Sequence, residues 1–274
     1  MSFSGAASSA DDPLSDDAIT ADFRVLQRLR GHRYSLDDVL TAFVAARRAP
    51  AAQRILDLGS GIGSVAIMLA WTHRDASLTT VEAQEISFAL QERNVERNGL
   101  RARLRPVCGD FRDPEVRARL GEGFDLVTGT PPYFSPAATL PSSDPQRAYA
   151  RVERRGGVED YLSTARALVA EGGVIVVCAD AKKPARVTGQ LDALGLSAEH
   201  ELVVSPRAGQ EPLFAVWTLR RGPALAEPRR EDFVARSHDG ARTEAQREIR
   251  AFFGLPMQDE TPSPPERLRT GARA

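Results

Sequence analysis

The stretch RILDLGSGIGSVAIMLA, residues 54–70, joins a short apolar strand to an apolar helix through a loop with three alternating glycines. Glycine in such a turn adopts positive φ easily and lets a ligand approach the backbone closely. The loop lacks the Gly-Lys-Ser/Thr ending of a phosphate-binding P-loop, and Ser64 stands where a dinucleotide-binding loop has its third glycine. The stretch therefore predicts a ligand-binding strand–helix turn, with a tight turn that binds nothing as the alternative.

Outward from this turn, strands and helices alternate along the chain. Seven segments have the character of strands: RILDLG, LTTVEA, LRPVCGD, FDLVTG, VIVVCAD, HELVVS and LFAVWTLR. Helical patterns run through LDDVLTAFVAARR before Pro50, through EISFALQERNVERNG up to Asn98-Gly99, through VEDYLSTARALVAEG and over residues 186–194. Strands that alternate with crossover helices predict an α/β fold, a doubly wound, mostly parallel seven-stranded sheet.

The two ends of the chain differ in composition from its middle. Residues 1–18 contain four aspartates and no basic residue, and residues 256–274 are rich in proline. We expect both segments to be disordered, which leaves one domain over residues 19–255. The whole chain has a net charge of −1, so the part outside the acidic segment is mildly basic. Such a charge permits a nucleic-acid substrate without requiring one.

Composition also bears on cellular location and on metal binding. No apolar run approaches the roughly 18–20 residues that cross a bilayer, and the acidic N-terminus is unlike a secretory signal. Cys108 and Cys178 give no disulfide framework, and the four histidines have no metal-ligand spacing. The sequence predicts a cytoplasmic protein with no membrane association and no bound metal.

Polar side chains follow the next three strands. Glu82 ends the second strand, Asp110 and Phe111 follow the third, and Thr130 follows the fourth. Ligands of open α/β sheets bind outside the carboxyl ends of the strands, so we expect these residues to converge on one crevice with Gly59. There Glu82 can accept both hydroxyls of a ribose, while Asp110 and Phe111 can bind the amine and the ring of an adenine. A solvated Glu82 and a helix-capping Asp110 are the alternatives.

Several motifs together resemble those of one family. HRYSLDDVL, RILDLGSGIGSVAIMLA, VEAQEISFALQERNVERNGL, CGDF and TPPYF follow in the order of the small-domain methyltransferases, most closely the tRNA1(Val) adenine-N6 methyltransferase group. The resemblance implies a Rossmann-like class I methyltransferase with S-adenosylmethionine as cofactor and tRNA as substrate. The cofactor-binding residues that it implies are Tyr34, Ser35, Asp37, Asp57, Gly59, Gly61, Gly63, Glu82, Asp110 and Phe111. Ser35 and Asp38 also match a helix capping box, which requires no ligand.

The segment TGTPPYFSP, residues 128–136, departs from the family's pattern. The resemblance implies that Thr130, Pro131, Pro132 and Tyr133 are catalytic, with Tyr133 stacked on the target base, but Thr130 replaces the usual Asn. A Thr hydroxyl can accept or donate a hydrogen bond, and it lies closer to the backbone than an Asn amide does. Three outcomes stay open: methylation of an adenine N6 amine in tRNA, methylation of a protein side-chain amide or a small molecule, and a weak or inactive cofactor-binding relic.

Basic residues follow this turn. Arg147, Arg151 and Arg154 fall near one helical face of RAYARVERR. The resemblance implies that they contact phosphates of the RNA substrate, with Phe134 also at the substrate. A solvated surface helix would have the same pattern.

Overall fold

A computed structural model of the chain describes residues 12–133, 144, 146–147, 156–224 and 226–257. It contains a hairpin of β1 (Leu14–Ala18) and β2 (Arg24–Arg28) and a central eight-stranded sheet. The strands of the sheet are β3 (Arg54–Leu58), β4 (Ser77–Glu82), β5 (Leu104–Cys108), β6 (Phe124–Gly129), β7 (Val169–Asp180), β8 (Leu196–Ser205), β9 (Phe214–Arg221) and β10 (Arg229–Val234). Their spatial order is β10-β8-β9-β7-β6-β3-β4-β5.

Helices connect most of these strands. In the described part of the chain they are α1 (Leu36–Arg48), α2 (Ser64–Thr72), α3 (Glu85–Arg97), α4 (Pro114–Leu120), α5 (Val158–Leu168), α6 (Ala185–Thr188), α7 (Leu191–Leu194) and α8 (Glu244–Phe252). The helix predicted up to residue 172 ends at Leu168 because β7 begins at Val169. The helix expected over residues 186–194 is divided into the short α6 and α7.

The sheet is doubly wound and mostly parallel. Strands β7, β6, β3, β4 and β5 pair in parallel, β9 pairs antiparallel with both β7 and β8, and β10 is parallel to β8. From β3 the chain proceeds outward to β4 and β5 and then returns to place β6 on the other side of β3. The carboxyl ends of β3 and β6 therefore flank the switch point at which such sheets bind their ligands.

Apolar side chains on alternate positions bury both faces of the sheet. Ile55 of β3 packs into the apolar cluster on one face, and Leu56 and Leu58 pack into the cluster on the other. All three are fully buried. Because successive side chains of a strand point to opposite faces, the continuous apolar run of β3 belongs at the centre of the sheet.

The ends of the helices agree with the sequence signals. Helix α1 begins after Ser35, whose backbone N–H donates to a carboxyl oxygen of Asp38 at 3.1 Å, as in a capping box. Helix α3 ends at Arg97, and Gly99 follows with φ +65°. A left-handed glycine just beyond a helix is a common helix stop, which confirms the prediction from Asn98-Gly99.

The sheet has eight strands, one more than the sequence predicted. All seven predicted strands are present, and the additional strand is β10 at the edge beside β8. Its sequence, RREDFV, carries four charged residues, and Phe233 is its one buried residue. With four charged residues in six, the strand has no apolar periodicity, so the sequence pattern did not predict it. So many charges are tolerated because β10 is an edge strand.

Part of the expected N-terminal disordered segment is folded. Residues 14–18 form β1, so the expectation of disorder is wrong for them, while residues 1–11 and 258–274 lie outside the described residues. The hairpin is tied to α3, because the backbone N–H of Leu26 donates to Asn94 at 2.7 Å and that of Arg24 donates to Asn98 at 2.9 Å. These contacts are long-range, so local composition could not predict them.

Within the parts of the chain that the structure describes, no helix is long and apolar enough to cross a bilayer.

Candidate cofactor and active site

A pocket lies at the carboxyl ends of β3, β4, β5 and β6. Its walls come from the turns that follow these strands, from the segment before α1 and the first turn of α1, and from α5. The lining residues are His32, Tyr34, Asp38, Gly59, Ser60, Gly61, Ile62, Ser64, Glu82, Ala83, Gln84, Ser87, Asp110, Phe111, Thr130, Pro132 and Tyr161. The expectation that Gly59, Glu82, Asp110 and Thr130 converge on one crevice is therefore confirmed.

The glycine loop between β3 and α2 forms the floor of this pocket. Gly59 and Gly61 have φ values of +60° and +56°, which side chains rarely adopt. A Cβ on Gly59 would lie 2.0 Å from the hydroxyl oxygen of Tyr161, whereas a Cβ on Gly61 would meet nothing within 4 Å. Gly63 packs against Gln91 of α3 and does not line the pocket. The loop thus leaves open space above Gly61, where a ligand can approach the backbone.

Glu82 at the end of β4 holds the loop from the side. One of its carboxyl oxygens accepts from the backbone N–H of Gly61 at 2.8 Å, and the other accepts from that of Gln84 at 2.6 Å. The residue is 9% exposed. A carboxylate oxygen can accept more than one hydrogen bond, so Glu82 is suited to accept hydroxyl groups of a ligand while it keeps the loop in place.

Asp57, which the sequence placed among the cofactor ligands, lies beneath the pocket and does not line it. Its carboxylate accepts from the hydroxyl of Thr128 at 2.7 Å. Burial raises the pKa of Asp57 to about 7; the bond from Thr128 opposes this rise and the charge of Glu82 adds to it. Its position indicates a supporting role under the glycine loop.

Asp110 and Phe111 form the wall beyond β5. The guanidinium of Arg112 donates to both carboxyl oxygens of Asp110, at 2.6 and 3.0 Å in the shortest contacts. The ring of Phe111 meets that of Tyr161 edge to face, with centroids 4.7 Å apart. Helix α4 is capped by Asp113, whose side chain accepts from Glu115 at 2.9 Å, so the alternative that Asp110 caps this helix is wrong.

Thr130 follows β6 and meets a residue that sequence reasoning treated only as a helix cap. Its hydroxyl donates to a carboxyl oxygen of Asp38 at 3.2 Å, and both residues line the pocket. Burial, and then the charge of the adjacent Asp37, raise the pKa of Asp38 to about 8. The pocket therefore holds a carboxyl group whose charge state changes close to neutral pH.

Only part of the Pro-Pro-aromatic turn lines the pocket. Pro132 lines it, whereas Pro131 is buried and Tyr133 does not line it. The ring of Tyr133 stacks on Phe214 of β9, with centroids 6.3 Å apart and planes at 29°. Its hydroxyl donates to Asp37 at 3.4 Å. One face of the predicted base-stacking ring is thus packed on the sheet.

Of the three cofactor-binding residues that the resemblance implied around the start of α1, one lines the pocket. Tyr34 lines the pocket, and its backbone N–H donates to the side chain of Gln27 at 2.9 Å. Ser35 and Asp37 lie outside it, and the Ser35 hydroxyl donates to Asp37. These two side chains serve the N-terminus of α1 and the Tyr133 contact.

The segment after the TPPY turn returns to the rim of the pocket. Arg28 forms an ion pair with Asp144 at 2.9 Å, and the amide of Gln146 donates to Ser87 at 3.1 Å. The guanidinium of Arg147 donates to the backbone oxygen of Gly31 at 3.0 Å. Of the four predicted substrate-binding residues, Arg147 is thus placed near the segment before α1. The other three, Phe134, Arg151 and Arg154, lie outside the described residues.

The sequence missed several pocket residues. Asp38 was visible only as the partner of Ser35 in a capping pattern, and Tyr161 had no signal, since it is a buried aromatic of an ordinary amphipathic helix. Gln84 and Ser87, at the start of α3, could have been found from their position just after Glu82. The pocket residues that follow the strands were predicted well from the sequence. The pocket residues of α1 and α5 were not, because they reach the pocket through helix packing.

The residues present fit S-adenosylmethionine. The open space above Gly61 admits a ligand against the backbone, and the lining includes three carboxyl groups, those of Asp38, Glu82 and Asp110. An acidic pocket suits a cationic sulfonium, and Glu82 beside Phe111 suits a ribose next to an adenine ring. The fold and the pocket define a Rossmann-like class I methyltransferase that uses S-adenosylmethionine.

Comparison with known proteins agrees with this class. Residues 34–143 match the family model of the methyltransferase small domain. The chain is 28% identical over 177 residues to a tRNA1(Val) (adenine(37)-N6)-methyltransferase of Tolumonas auensis, covering 64% of this chain and 72% of that protein. It is 30% identical over 162 residues to a protein of the same name from Bacteroides thetaiotaomicron, covering 59% of this chain and 66% of the relative.

A third relative has a different name. The chain is 37% identical over 126 residues to a release factor glutamine methyltransferase of Geobacter sulfurreducens. The match covers 46% of this chain and 42% of that protein, so this chain corresponds to less than half of it.

Solved structures share the fold at low sequence identity. A predicted O-methyltransferase from Agrobacterium tumefaciens has a TM-score of 0.56 at 20% identity, covering 80% of this chain and 98% of that one. Pyrococcus horikoshii TYW2 in complex with MeSAdo has a TM-score of 0.53 at 15% identity, covering 76% and 71%.

Proposed function

We propose that this protein transfers the methyl group of S-adenosylmethionine to the exocyclic N6 amine of an adenine in tRNA. The observation that carries the proposal is the hydroxyl of Thr130, which lies in the cofactor pocket and donates its hydrogen to Asp38. The oxygen of Thr130 therefore keeps its lone pairs for an incoming amine. The two relatives named as tRNA adenine-N6 methyltransferases support the choice of substrate. A tRNA substrate places the reaction in the cytoplasm.

The reaction requires the protein to hold a poor nucleophile, the adenine amine, in line with the methyl group. The cofactor supplies an electrophilic methyl group; the N–C bond forms as the C–S bond breaks, and the amine then loses a proton to water. The amine lone pair of adenine is delocalised into the ring, so acceptors for its two hydrogens are needed to direct that lone pair at the methyl group. Thr130 provides one acceptor, and a backbone carbonyl of the Pro131–Pro132 turn provides the other.

Asp38 positions the acceptor. When its carboxyl is ionised, it takes the hydrogen of Thr130 and fixes the orientation of the hydroxyl. A positive charge in the pocket favours the ionised form of a carboxyl group, so a bound sulfonium lowers the raised pKa of Asp38. The pair of Thr130 and Asp38 thus takes the place of the single Asn that the family pattern has at position 130.

Tyr133 acts at the edge of the same site. One face of its ring packs on Phe214, so a target base stacks on the opposite face. Stacking of a base on an aromatic ring contributes about 1–3 kcal/mol. The bond to Asp37 holds the ring and the Pro-Pro turn in one orientation.

A protein side-chain amide is the second candidate substrate. The 37% identity with a release factor glutamine methyltransferase favours it. A glutamine amide resembles the adenine amine in the groups that the site would bind. Its NH2 group has two hydrogens to donate and a delocalised lone pair.

The test is methyl transfer from labelled S-adenosylmethionine to bulk bacterial tRNA that lacks the modification, with nucleosides identified by mass spectrometry. A parallel reaction uses release-factor protein purified from cells without the modifying enzyme. We expect N6-methyladenosine from tRNA, lost in Tyr133→Ala and reduced in Thr130→Val.

Two results would reject the proposal. Methylated glutamine without a methylated nucleoside would establish the second candidate. Binding of S-adenosylmethionine with no product in either reaction would identify a cofactor-binding relic or an enzyme of small molecules.

A further inference from the structure

A second cavity lies beside the cofactor pocket. Its walls are the β1–β2 hairpin, the start of α1 and the C-terminal residues from 236 to 255. Tyr34 lines both cavities and forms the wall between them. A ligand in the second cavity is therefore a neighbour of whatever occupies the site at Thr130.

The rim of this cavity is rich in arginine. Arg33, Arg236, Arg242 and Arg250 line it, and Asp17 is the one acid among its lining residues. Asp17 is already paired with Arg33, at 2.9 Å. Arg236 and Arg250 give the rim a positive charge that Asp17 does not offset.

Two of these arginines are held by bonds that do not neutralise them. Arg236 donates to the backbone oxygen of Gly240 at 2.7 Å, and Arg250 donates to that of Pro256 at 3.0 Å. No carboxylate in the described ranges forms an ion pair with either one. Burial, together with the charges of Arg250 and Arg236, lowers the pKa of Arg242, which indicates that the three groups repel one another. Such crowding is relieved when an anion binds.

The deeper part of the cavity is apolar. Ile19, Met68 and Phe253, all fully buried, contribute to its floor. Beside them the side-chain oxygen of Gln246 is buried and has no hydrogen-bond partner among the residues described. A buried acceptor without a donor is costly, so the site suits a ligand with an N–H group.

We propose that this cavity binds a nucleotide of the RNA substrate that neighbours the methylated one, a conclusion that rests on the proposed RNA methyltransferase function. The arginines bind the phosphate, the apolar floor contacts the base, and Gln246 accepts from a base N–H. Phosphate, base edge and apolar ring are the three chemical parts of a nucleotide, and the cavity offers a partner for each.

The experiment measures tRNA binding by the full-length protein over a range of salt concentrations. The test variant is Arg236→Gln/Arg250→Gln, in which glutamine can still donate to the backbone oxygens. The matched control is Arg101→Gln/Arg229→Gln, which removes two exposed arginines with ion pairs elsewhere on the surface. Thermal unfolding and the Kd for S-adenosylmethionine are recorded for all proteins.

We expect the test variant to bind tRNA about 10-fold more weakly and to lower the slope of log Kd against log salt by about 1.4–1.8, since each lost phosphate contact removes about 0.7–0.9. The control keeps the wild-type slope. Arg236→Lys/Arg250→Lys restores the slope because the charges return. Gln246→Leu weakens binding without changing the slope, and this variant carries the test if the double variant does not fold.

The outcomes separate this inference from the proposed function. Wild-type protein that methylates tRNA, together with test variants of unchanged affinity and slope, overturns the nucleotide cavity alone. Wild-type protein that neither binds nor methylates RNA rejects the function and the cavity together.

Discussion

The hydroxyl of Thr130, at the end of β6, donates to a carboxyl oxygen of Asp38 in the first turn of α1 at 3.2 Å, across 92 residues of sequence. The bond joins the residue that departs from the family pattern to a buried carboxyl group in the same pocket. A hydroxyl oriented in this way presents its oxygen to a substrate. In the proposed mechanism, this bond lets a threonine serve where an asparagine is usual.

The role of the Thr130 hydroxyl in catalysis can be tested by an isosteric substitution. We expect Thr130→Val to lower kcat about 100-fold, the typical loss of one well-placed hydrogen-bonding group in an active site. The Kd for S-adenosylmethionine should be unchanged, and Thr130→Ser should keep most of the activity. Full activity in Thr130→Val would mean that another group accepts the amine hydrogen.

The raised pKa of Asp38 predicts a pH-dependent stability. In the unfolded chain an aspartate has a pKa of about 3.9, whereas burial raises that of folded Asp38 to about 8. Between these values the unfolded state releases a proton that the folded state retains, so the free energy of unfolding falls as pH rises from about 4 to about 8. We expect Asp38→Asn to be increasingly more stable than the wild type over this range, measured by urea unfolding. Asp75→Asn, at an exposed position, is the control.

The positive charge of the S-adenosylmethionine sulfonium should make cofactor binding depend on the ionisation of Asp38. Asp37, Asp57, Tyr133 and Cys178 surround Asp38 electrostatically, and none of them supplies a positive charge. We expect the affinity for S-adenosylmethionine to rise with pH by up to about tenfold per unit below pH 8. S-adenosylhomocysteine, whose sulfur is neutral, should show a weaker dependence, and Asp38→Asn should remove the difference. Calorimetric titration of both ligands checks this, and equal pH profiles would contradict it.

Glu82 should matter for the cofactor more than any other acid of the pocket. Glu82→Gln places an amide NH2 against the N–H of Gly61 or Gln84, both of which now donate to the carboxylate. We expect the Kd for S-adenosylmethionine to rise about 10- to 100-fold, as for the loss of hydrogen bonds to a charged group. Glu92→Gln, exposed on α3, is the control and should bind normally.

Gly59 and Gly61 should respond differently to alanine. Both have positive φ, which costs a side chain about 1–2 kcal/mol, but only at Gly59 does the new Cβ meet Tyr161, 2.0 Å from its oxygen. We expect Gly59→Ala to lower the free energy of unfolding clearly more than Gly61→Ala. Tyr161→Phe should restore part of that loss by removing the oxygen. Purely additive effects in this double-mutant cycle would show that the contact is not the cause.

The pattern of residues along the chain predicted most strands of the sheet and much of the site. All seven predicted strands are present, and the continuous apolar run of β3 is buried at the centre of the parallel part of the sheet. The positions of Glu82, Asp110 and Thr130 followed because residues at the carboxyl ends of parallel strands share one edge of the sheet.

Other contacts are encoded by no local pattern and depend on the folded structure. The charged strand β10 and the hairpin strand β1 exist through pairing with distant segments. The meeting of Thr130 with Asp38, the packing of Tyr161 beneath Gly59 and the stacking of Tyr133 on Phe214 depend on how helices and loops pack over the sheet. Periodicity records which face of an element is buried and not which partner it meets, so these contacts had to come from the fold.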